Sequence, residues 1–237
     1  MDYGLSKVRE ERTDFPTIRP ISVRELVLDA IRDAILAGRL QPGDRIIESR
    51  LSKQMGVGQN AVRETLQELE YQGFVVRVPN KGAFVTDFSL EDINQIYRFR
   101  MEFEGLAAQL AREAGRPNPA DVEQLVHALE EMEAGAEAND YWKFSRADLQ
   151  FHEIFWHLSG NRYVEKALRA VATPQFSYVL IRSSRQTPLD LPAICRQHRG
   201  ILEQLKSSEP RACREYVSRI TEDFWRRIVQ VMTEQQK

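Results

Sequence analysis

Within residues 48–86 the recurrence of apolar side chains changes from a helical spacing to a strand-like one, and few small folds accommodate that change. Leu51, Met55 and Val57 give a short first helix and its turn an apolar side. Gly56 follows Met55 where a helix C-cap sits, because glycine takes positive φ without steric cost. A second helix is expected from Gln59, with Val62, Leu66 and Leu69 recurring at steps of four and three on one buried face. Gly73 stops it. Residues 74–78 and 83–86 are β-rich, and Pro79-Asn80-Lys81-Gly82 supplies turn chemistry between them. Helix, turn, helix and hairpin in that order predict a winged helix-turn-helix with a basic wing tip.

Gln59, Asn60 and Arg63 fall on a different face from the buried one, near the start of the second helix. Amides pair with adenine and guanidinium with guanine, so this face suits the major groove of double-stranded DNA. Arg50 lies beside it, and Asn80, Lys81 and Gly82 at the wing tip are placed to meet the flanking groove or backbone. The competing reading is a surface motif used only for packing. Charge limits the DNA reading: residues 1–88 hold thirteen Lys/Arg against thirteen Asp/Glu, and the whole chain has a formal net charge of -2. Affinity must therefore come from the placement of Arg45, Arg50, Lys53, Arg63, Arg77 and Lys81. Non-specific binding is expected to be modest and salt-sensitive, and a dimer would double the contacts.

Residues 1–21 read as a flexible arm, charged and broken by Pro16 and Pro20. A helix is expected from Ser22, with Glu25 completing a capping box and Leu26, Val27, Ala30, Ile31, Ala34 and Ile35 forming an apolar stripe up to Gly38. Gln41-Pro42-Gly43-Asp44 is a turn, and residues 45–47 can form a short strand pairing with the hairpin. Past Ser89 strand-like stretches vanish, and amphipathic segments follow at roughly 89–114, 118–138, 140–159, 161–184, 190–207 and 209–235. Pro174 should kink or interrupt the fourth. The fold class is thus mainly α: an N-terminal winged helix-turn-helix over 22–88 and a C-terminal all-α bundle over 89–237. No run is apolar enough to cross a bilayer, no signal peptide opens the chain, and Cys195 and Cys213 are isolated, which predicts a cytoplasmic protein with free thiols.

Ionisable residues on apolar helix faces mark a candidate site in the bundle. Asp148 and His152 are four apart and project from one face, with Phe151, Phe155 and Leu158 nearby. With His198 from a later helix they could supply three ligands of a divalent metal and leave positions open. Alternatively, Asp148 and His152 are an ordinary surface pair. Arg100 and Glu104 are also four apart, among Ile96, Phe99, Phe103 and Leu106. They form either an intrahelical salt bridge worth about 0.3–0.5 kcal/mol or a buried pair whose guanidinium clamps a ligand carboxylate.

The segment Asn60-Ala61-Val62-Arg63-Glu64-Thr65-Leu66, with Leu69, Gly73, residues 80–85 and the earlier Leu40-Gln41-Pro42-Gly43-Asp44, resembles the winged helix of GntR-type bacterial transcription regulators. The helical part resembles the FCD effector domain of the FadR subfamily, through Arg100 with Glu104, Asp148 with His152, Ser159-Gly160-Asn161, and His198 followed by Ile201-Leu202. The resemblance runs from about residue 22 to about residue 232. It implies a homodimeric, ligand-responsive repressor or activator, with repressor the first reading, bound to a palindromic operator. It also implies a bundle pocket for a small organic acid, lined by Arg100, Glu104, Asn161 and Arg219, with Asp148, His152 and His198 matching the ligands of a divalent metal, Zn first. Two departures stand out. Where the family's fourth metal ligand, a histidine, is expected, this chain has Ser218, Arg219 and Ile220, and no histidine follows His198. Arg219 would bring a cation there and disfavour a metal. Gln59 stands where the family usually has arginine, so the operator is not legible. Two other functions fit parts of the pattern: a metal-dependent hydrolase with a DNA-targeting module, and a helical oligomerisation module whose polar residues satisfy one another.

Overall fold

The computed structural model describes residues 22–183 and 189–234. The arm expected over residues 1–21 lies outside the described residues. Helix α1 (Val23–Leu36) begins with the expected capping box: Ser22 accepts from the Glu25 N–H at 3.1 Å, and the Glu25 carboxylate accepts from the Ser22 N–H at 2.9 Å. Val27, Ile31 and Ile35, four apart, are its buried face. Leu26, expected in that stripe, is 56% exposed, because it stands about 100° around the helix from Val27.

Strand β1 (Arg45–Ile46) ends one residue earlier than expected, because Ile47 is already the N-cap of α2 (Glu48–Met55). Gly56 closes α2 in the left-handed conformation at φ 66°. Helix α3 (Gln59–Tyr71) buries Val62, Thr65, Leu66 and Leu69. Strands β2 (Val75–Val78) and β3 (Gly82–Val85) form the antiparallel wing, and β1 pairs with the outer side of β3, giving the order β1-β3-β2.

A second capping box, at Ser89 and Asp92, opens α4 (Leu90–Glu113). Helices α5 (Pro119–Glu137), α6 (Tyr141–Leu158), α7 (Arg162–Ser183), α8 (Leu191–Ser207) and α9 (Pro210–Glu234) complete the bundle. Asn118, Asp140 and Asp190 cap α5, α6 and α8, as short polar side chains do at helix starts. The core between these helices is aromatic and aliphatic, with Phe151, Phe155, Trp156 and Leu168 at its centre.

Helix α7 runs through Pro174, so of the expected kink or interruption the interruption does not occur. The same helix carries the contact between the two halves of the chain. Gly73, at φ 78°, lies so close to it that a Cβ there would stand 2.5 Å from the Pro174 Cα and 2.9 Å from the Thr173 carbonyl oxygen. The Ser177 hydroxyl donates to the Gln72 carbonyl at 2.6 Å. Leu180 and Ile181 belong to the same apolar cluster as Val27, Ile31, Leu66 and Phe74 of the winged domain, and Trp142 of α6 packs against it. Burying side chains of that size stabilises by about 1.5–3 kcal/mol each, so the seam contributes to folding.

Candidate functional site

The outward face of α3 and the wing is the first site. Arg50, Gln59, Asn60 and Arg63 are exposed, as are Asn80, Lys81 and Gly82. At the tip Asn80 takes φ 62° and Gly82 φ 105°, and the Lys81 N–H donates to the Val78 carbonyl at 3.0 Å, which fixes the turn. The guanidinium of Arg63 is already held: its Nε donates to Glu48 Oε2 at 3.1 Å. Arg77 bonds Glu70 at 3.0 Å and lies 3.9 Å from the other Glu48 oxygen. Glu48 went unrecognised in the sequence. Its pair with Arg63 is half-exposed and worth no more than about 1 kcal/mol, so it orients the arginine without trapping it.

The second site lies inside the bundle. A cavity of about 60 Å³ (the space open to water centres) is walled by residues of α4, α6, α7, α8 and α9. Its polar side is the cluster anticipated from Asp148, His152 and His198. His198 Nε2 is 2.8 Å from Asp148 Oδ1 and 3.1 Å from His152 Nε2, and His152 Nε2 is 3.6 Å from the same carboxylate oxygen. His198 Nδ1 lies 2.9 Å from the Ile194 carbonyl and donates to it, so Nε2 is the nitrogen that would give up a proton to take a metal. His152 Nδ1 lies 3.5 Å from Glu104 Oε1, an arrangement that turns its Nε2 inward too. Both imidazoles and Asp148 therefore aim donor atoms at one point, all within 4.8 Å of one another.

That convergence fits a metal. Asp148 Oδ1 is buried and takes no well-directed hydrogen bond despite its nearness to His198. Two imidazole nitrogens and a carboxylate suit zinc, and three protein ligands leave a position for an exogenous oxygen. The electrostatics agree. Burial holds His152 well below the ordinary histidine range, Arg100 and His198 push the same way, and Asp148 offsets them only in part. His152 is neutral near pH 7 and ready to coordinate. Burial would lower His198 as well, but Asp148 and the Ile194 carbonyl outweigh it and raise its affinity for a proton. Burial opposes charge on Asp148, yet His198, His152 and Arg100 together hold its carboxyl below the usual range.

Arg100 and Glu104 form the intrahelical salt bridge that their spacing allows, and both are buried, facing the interior of the bundle. Arg100 Nε and Nη2 contact Glu104 Oε1 at 3.0 and 2.9 Å, and Nη1 donates to Gln175 Oε1. Gln175 Nε2 donates to the Tyr97 hydroxyl at 2.8 Å, and Thr221 donates to Glu104 Oε2 at 3.1 Å. Tyr97, Gln175 and Thr221 were missed in the sequence. Tyr97 was legible, since it stands three residues before Arg100 on the same face. Gln175 is a lone amide in an apolar stretch, and only the fold shows its partner.

Two expected ligand contacts are corrected. Asn161 is exposed and its side chain caps α7, accepting from the Tyr163 and Val164 N–H groups at 3.0 and 3.3 Å, so it does not face the cavity. Arg219 is exposed and lies over the Tyr216 ring at 5.3 Å. The inward face of α9 is Cys213, Val217 and Thr221, four residues apart, which leaves position 219 pointing away. The cation expected beside the histidines is therefore not Arg219, and that objection to a metal lapses. Cys195 and Cys213 are free and buried, and burial pushes each thiol up to about 11, which makes them unreactive.

Comparison with known proteins is consistent along the chain. Residues 24–85 match the profile "Bacterial regulatory proteins, gntR family", and residues 95–223 match the "FCD domain" profile. An uncharacterized HTH-type transcriptional regulator, YdhC of Bacillus subtilis, is 26% identical over 209 residues, covering 86% of this chain and 90% of the relative. The regulator McbR of Escherichia coli is 22% identical, covering 86% and 91%. A solved structure of E. coli McbR/YncC superposes with a TM-score of 0.66 at 21% identity, over 91% of this chain and all of that one. A putative GntR regulator from Rhodococcus sp. RHA1 gives 0.65 at 23% identity, over 87% and 97%. At these identities the solved structures speak for the fold.

Proposed function

The chain belongs to the gntR family of bacterial regulatory proteins, in the group that carries an FCD domain, and from that premise we propose how it works. It is a ligand-responsive, DNA-binding transcription regulator. The winged domain over 22–88 reads the duplex through Gln59, Asn60 and Arg63, with Arg50 and the wing tip on flanking phosphates. A homodimer sets two such helices on a palindromic operator in the cytoplasm. The helical domain takes a small organic acid, and repression is the direction of control; a relative 25% identical over 152 residues is named the gluconate operon transcriptional repressor of Bacillus licheniformis. The metal-dependent hydrolase reading gains no support, since these relatives are named as regulators.

Asp148, His152 and His198 are the residues that would hold a zinc ion, which supplies a Lewis-acidic site for a carboxylate oxygen. Arg100 stands in the same wall, its guanidinium oriented by Glu104 and Gln175, and adds a fixed cation for the acid.

The observation that carries this reading is the double use of α7. Its Gln175 and Phe176 wall the cavity, while Pro174 and Ser177 bear on Gly73 and Gln72 of the winged domain. A ligand that binds two placements of α7 unequally must bind two placements of the reading head unequally. The test selects duplexes from a random pool with the full chain, then measures their affinity with ZnCl2 and a panel of carboxylic acids. A selected duplex whose affinity responds to zinc plus one acid is expected. No enrichment of any sequence, or no response to any acid, would refute the reading.

A further inference from the structure

The cavity beside Asp148, His152 and His198 has two unlike sides. Among its described lining residues, Arg100 and Asp148 are the only Lys, Arg, Asp or Glu. Away from the cluster the wall is hydrocarbon, supplied by Phe144, Leu180, Leu191, Ile194, Ile220 and Phe224. Leu180 belongs at the same time to the apolar cluster of the winged domain, with Val27, Ile31 and Leu66. Given a cluster that binds zinc and an acid, the reading on which this rests, we infer that the effector is a monocarboxylate with an unhydroxylated apolar body. The carboxylate anchors it, and the body, bearing on Leu180, is what the reading head senses.

Charge sets the number of acidic groups. Arg100 and Glu104 offset each other at 2.9 Å, and Asp148 leaves the wall with one net negative charge. A zinc ion on neutral imidazoles turns that into one net positive charge, which a single carboxylate cancels. A second carboxylate would be buried with no cation to meet it, a costly placement. Hydrogen bonding sets the body. Gln175 is spent on Arg100 and the Tyr97 hydroxyl, and Thr221 on Glu104. The other polar groups of the wall, Tyr141, Ser145 and Gln197, are half-buried and keep contact with water. Hydroxyls along an effector chain would give up water against Leu191, Ile194 and Ile220 and gain no partner there, a loss that an alkyl chain avoids.

Size and direction set the length. The space of about 60 Å³ for water centres holds about four to six waters, the bulk of an acid of about six carbons. Ile194 and Leu191 stand one and two turns before His198 on α8, so a chain anchored at the cluster runs alongside them. Leu180 stands five residues past Gln175, about 7.5 Å along α7. A two-carbon acid held at the cluster falls short of Leu180, and a six-carbon chain reaches it.

Calorimetry on the full chain loaded with one equivalent of zinc tests this with hexanoate, gluconate, adipate and acetate. The first three share a six-carbon chain and differ by hydroxyls or by a second carboxylate. Hexanoate is expected to bind about tenfold or more tightly than gluconate or adipate. Saturating hexanoate is expected to change the affinity for a selected duplex about fivefold or more, whereas bound acetate leaves it unchanged. Ile220→Thr, at a partly exposed wall position, should narrow the gap between hexanoate and gluconate about threefold or more. Gluconate or adipate binding as tightly as hexanoate overturns the inference and leaves the acid-binding reading standing. Acetate shifting the duplex affinity as far as hexanoate overturns the part given to the body. Binding of none of the four overturns both readings, and a zinc titration of the same sample reads the metal cluster separately. The calorimetric series on the unaltered chain decides the class even if Ile220→Thr does not fold.

Discussion

Gly73 and Pro174 meet backbone to backbone: the winged domain's last helix turn rests on the middle of α7 with no side chain between them. Gly73→Ala is therefore unfavourable twice, through its φ of 78° and through a contact of 2.5 Å with atoms that cannot rotate away. A loss of about 1–3 kcal/mol is expected. For a chain of this size that lowers the melting temperature by several degrees. An unchanged melting curve would show that the two domains do not bear on each other there.

Arg63→Ala should weaken binding to a selected operator by about 1–3 kcal/mol, whereas Glu48→Gln should not weaken it and should strengthen it at low salt. The second variant frees the guanidinium that Glu48 holds at 3.1 Å and removes a negative charge from the DNA face. Electrophoretic mobility shifts over a salt series read both. Equal losses in the two variants would mean that the ion pair itself is required on DNA.

Zinc should raise the melting temperature of the wild-type chain, by an amount equivalent to about 2.7 kcal/mol when zinc is a hundred times its Kd. Asp148→Asn and His152→Ala should abolish most of that rise. Arg219→Ala, on the outer face of α9, should leave both stability and zinc response within about 0.5 kcal/mol of wild type. A loss of zinc response in Arg219→Ala would return that residue to the site.

The two histidines should shape acid stability of the zinc-free chain with opposite signs. His152 has its folded pKa lowered, so below about 6.5 the unfolded chain gains a proton that the folded chain refuses, and stability falls with acid. His198 has its folded pKa raised, so its contribution is full below about 6.5 and fades as pH rises through the folded value. His152→Gln should thus flatten the acid limb of a melting series from pH 5 to 8. His198→Gln should cost most at the acid end. Parallel profiles for the two variants would contradict these assignments.

Much of this was legible because it is periodic or local. Capping at Ser22 needs only Glu25 three residues on, and α3 needs only Val62, Leu66 and Leu69 at helical steps. The i, i+4 pairs Arg100–Glu104 and Asp148–His152 could be placed on common faces before any fold was known. Asn161 and Arg219 were misplaced for a shared reason. Asn161 was placed as part of the Ser159-Gly160-Asn161 motif and Arg219 by its distance along the chain from His198, whereas the direction of each depends on where α7 begins and how α9 is rotated about its axis. Gln175 depends on contacts with Arg100 and Tyr97, 75 and 78 residues away in sequence, which no spacing encodes.

The bond from Ser177 to Gln72 bears on how such chains can be recombined. One side of α7 is part of the reading head's own core, so a cut near residue 88 does not separate independent cassettes. A chimera carrying a foreign winged domain would need a glycine opposite Pro174 and a backbone carbonyl in reach of Ser177. Without them the graft would bind its operator and ignore its effector.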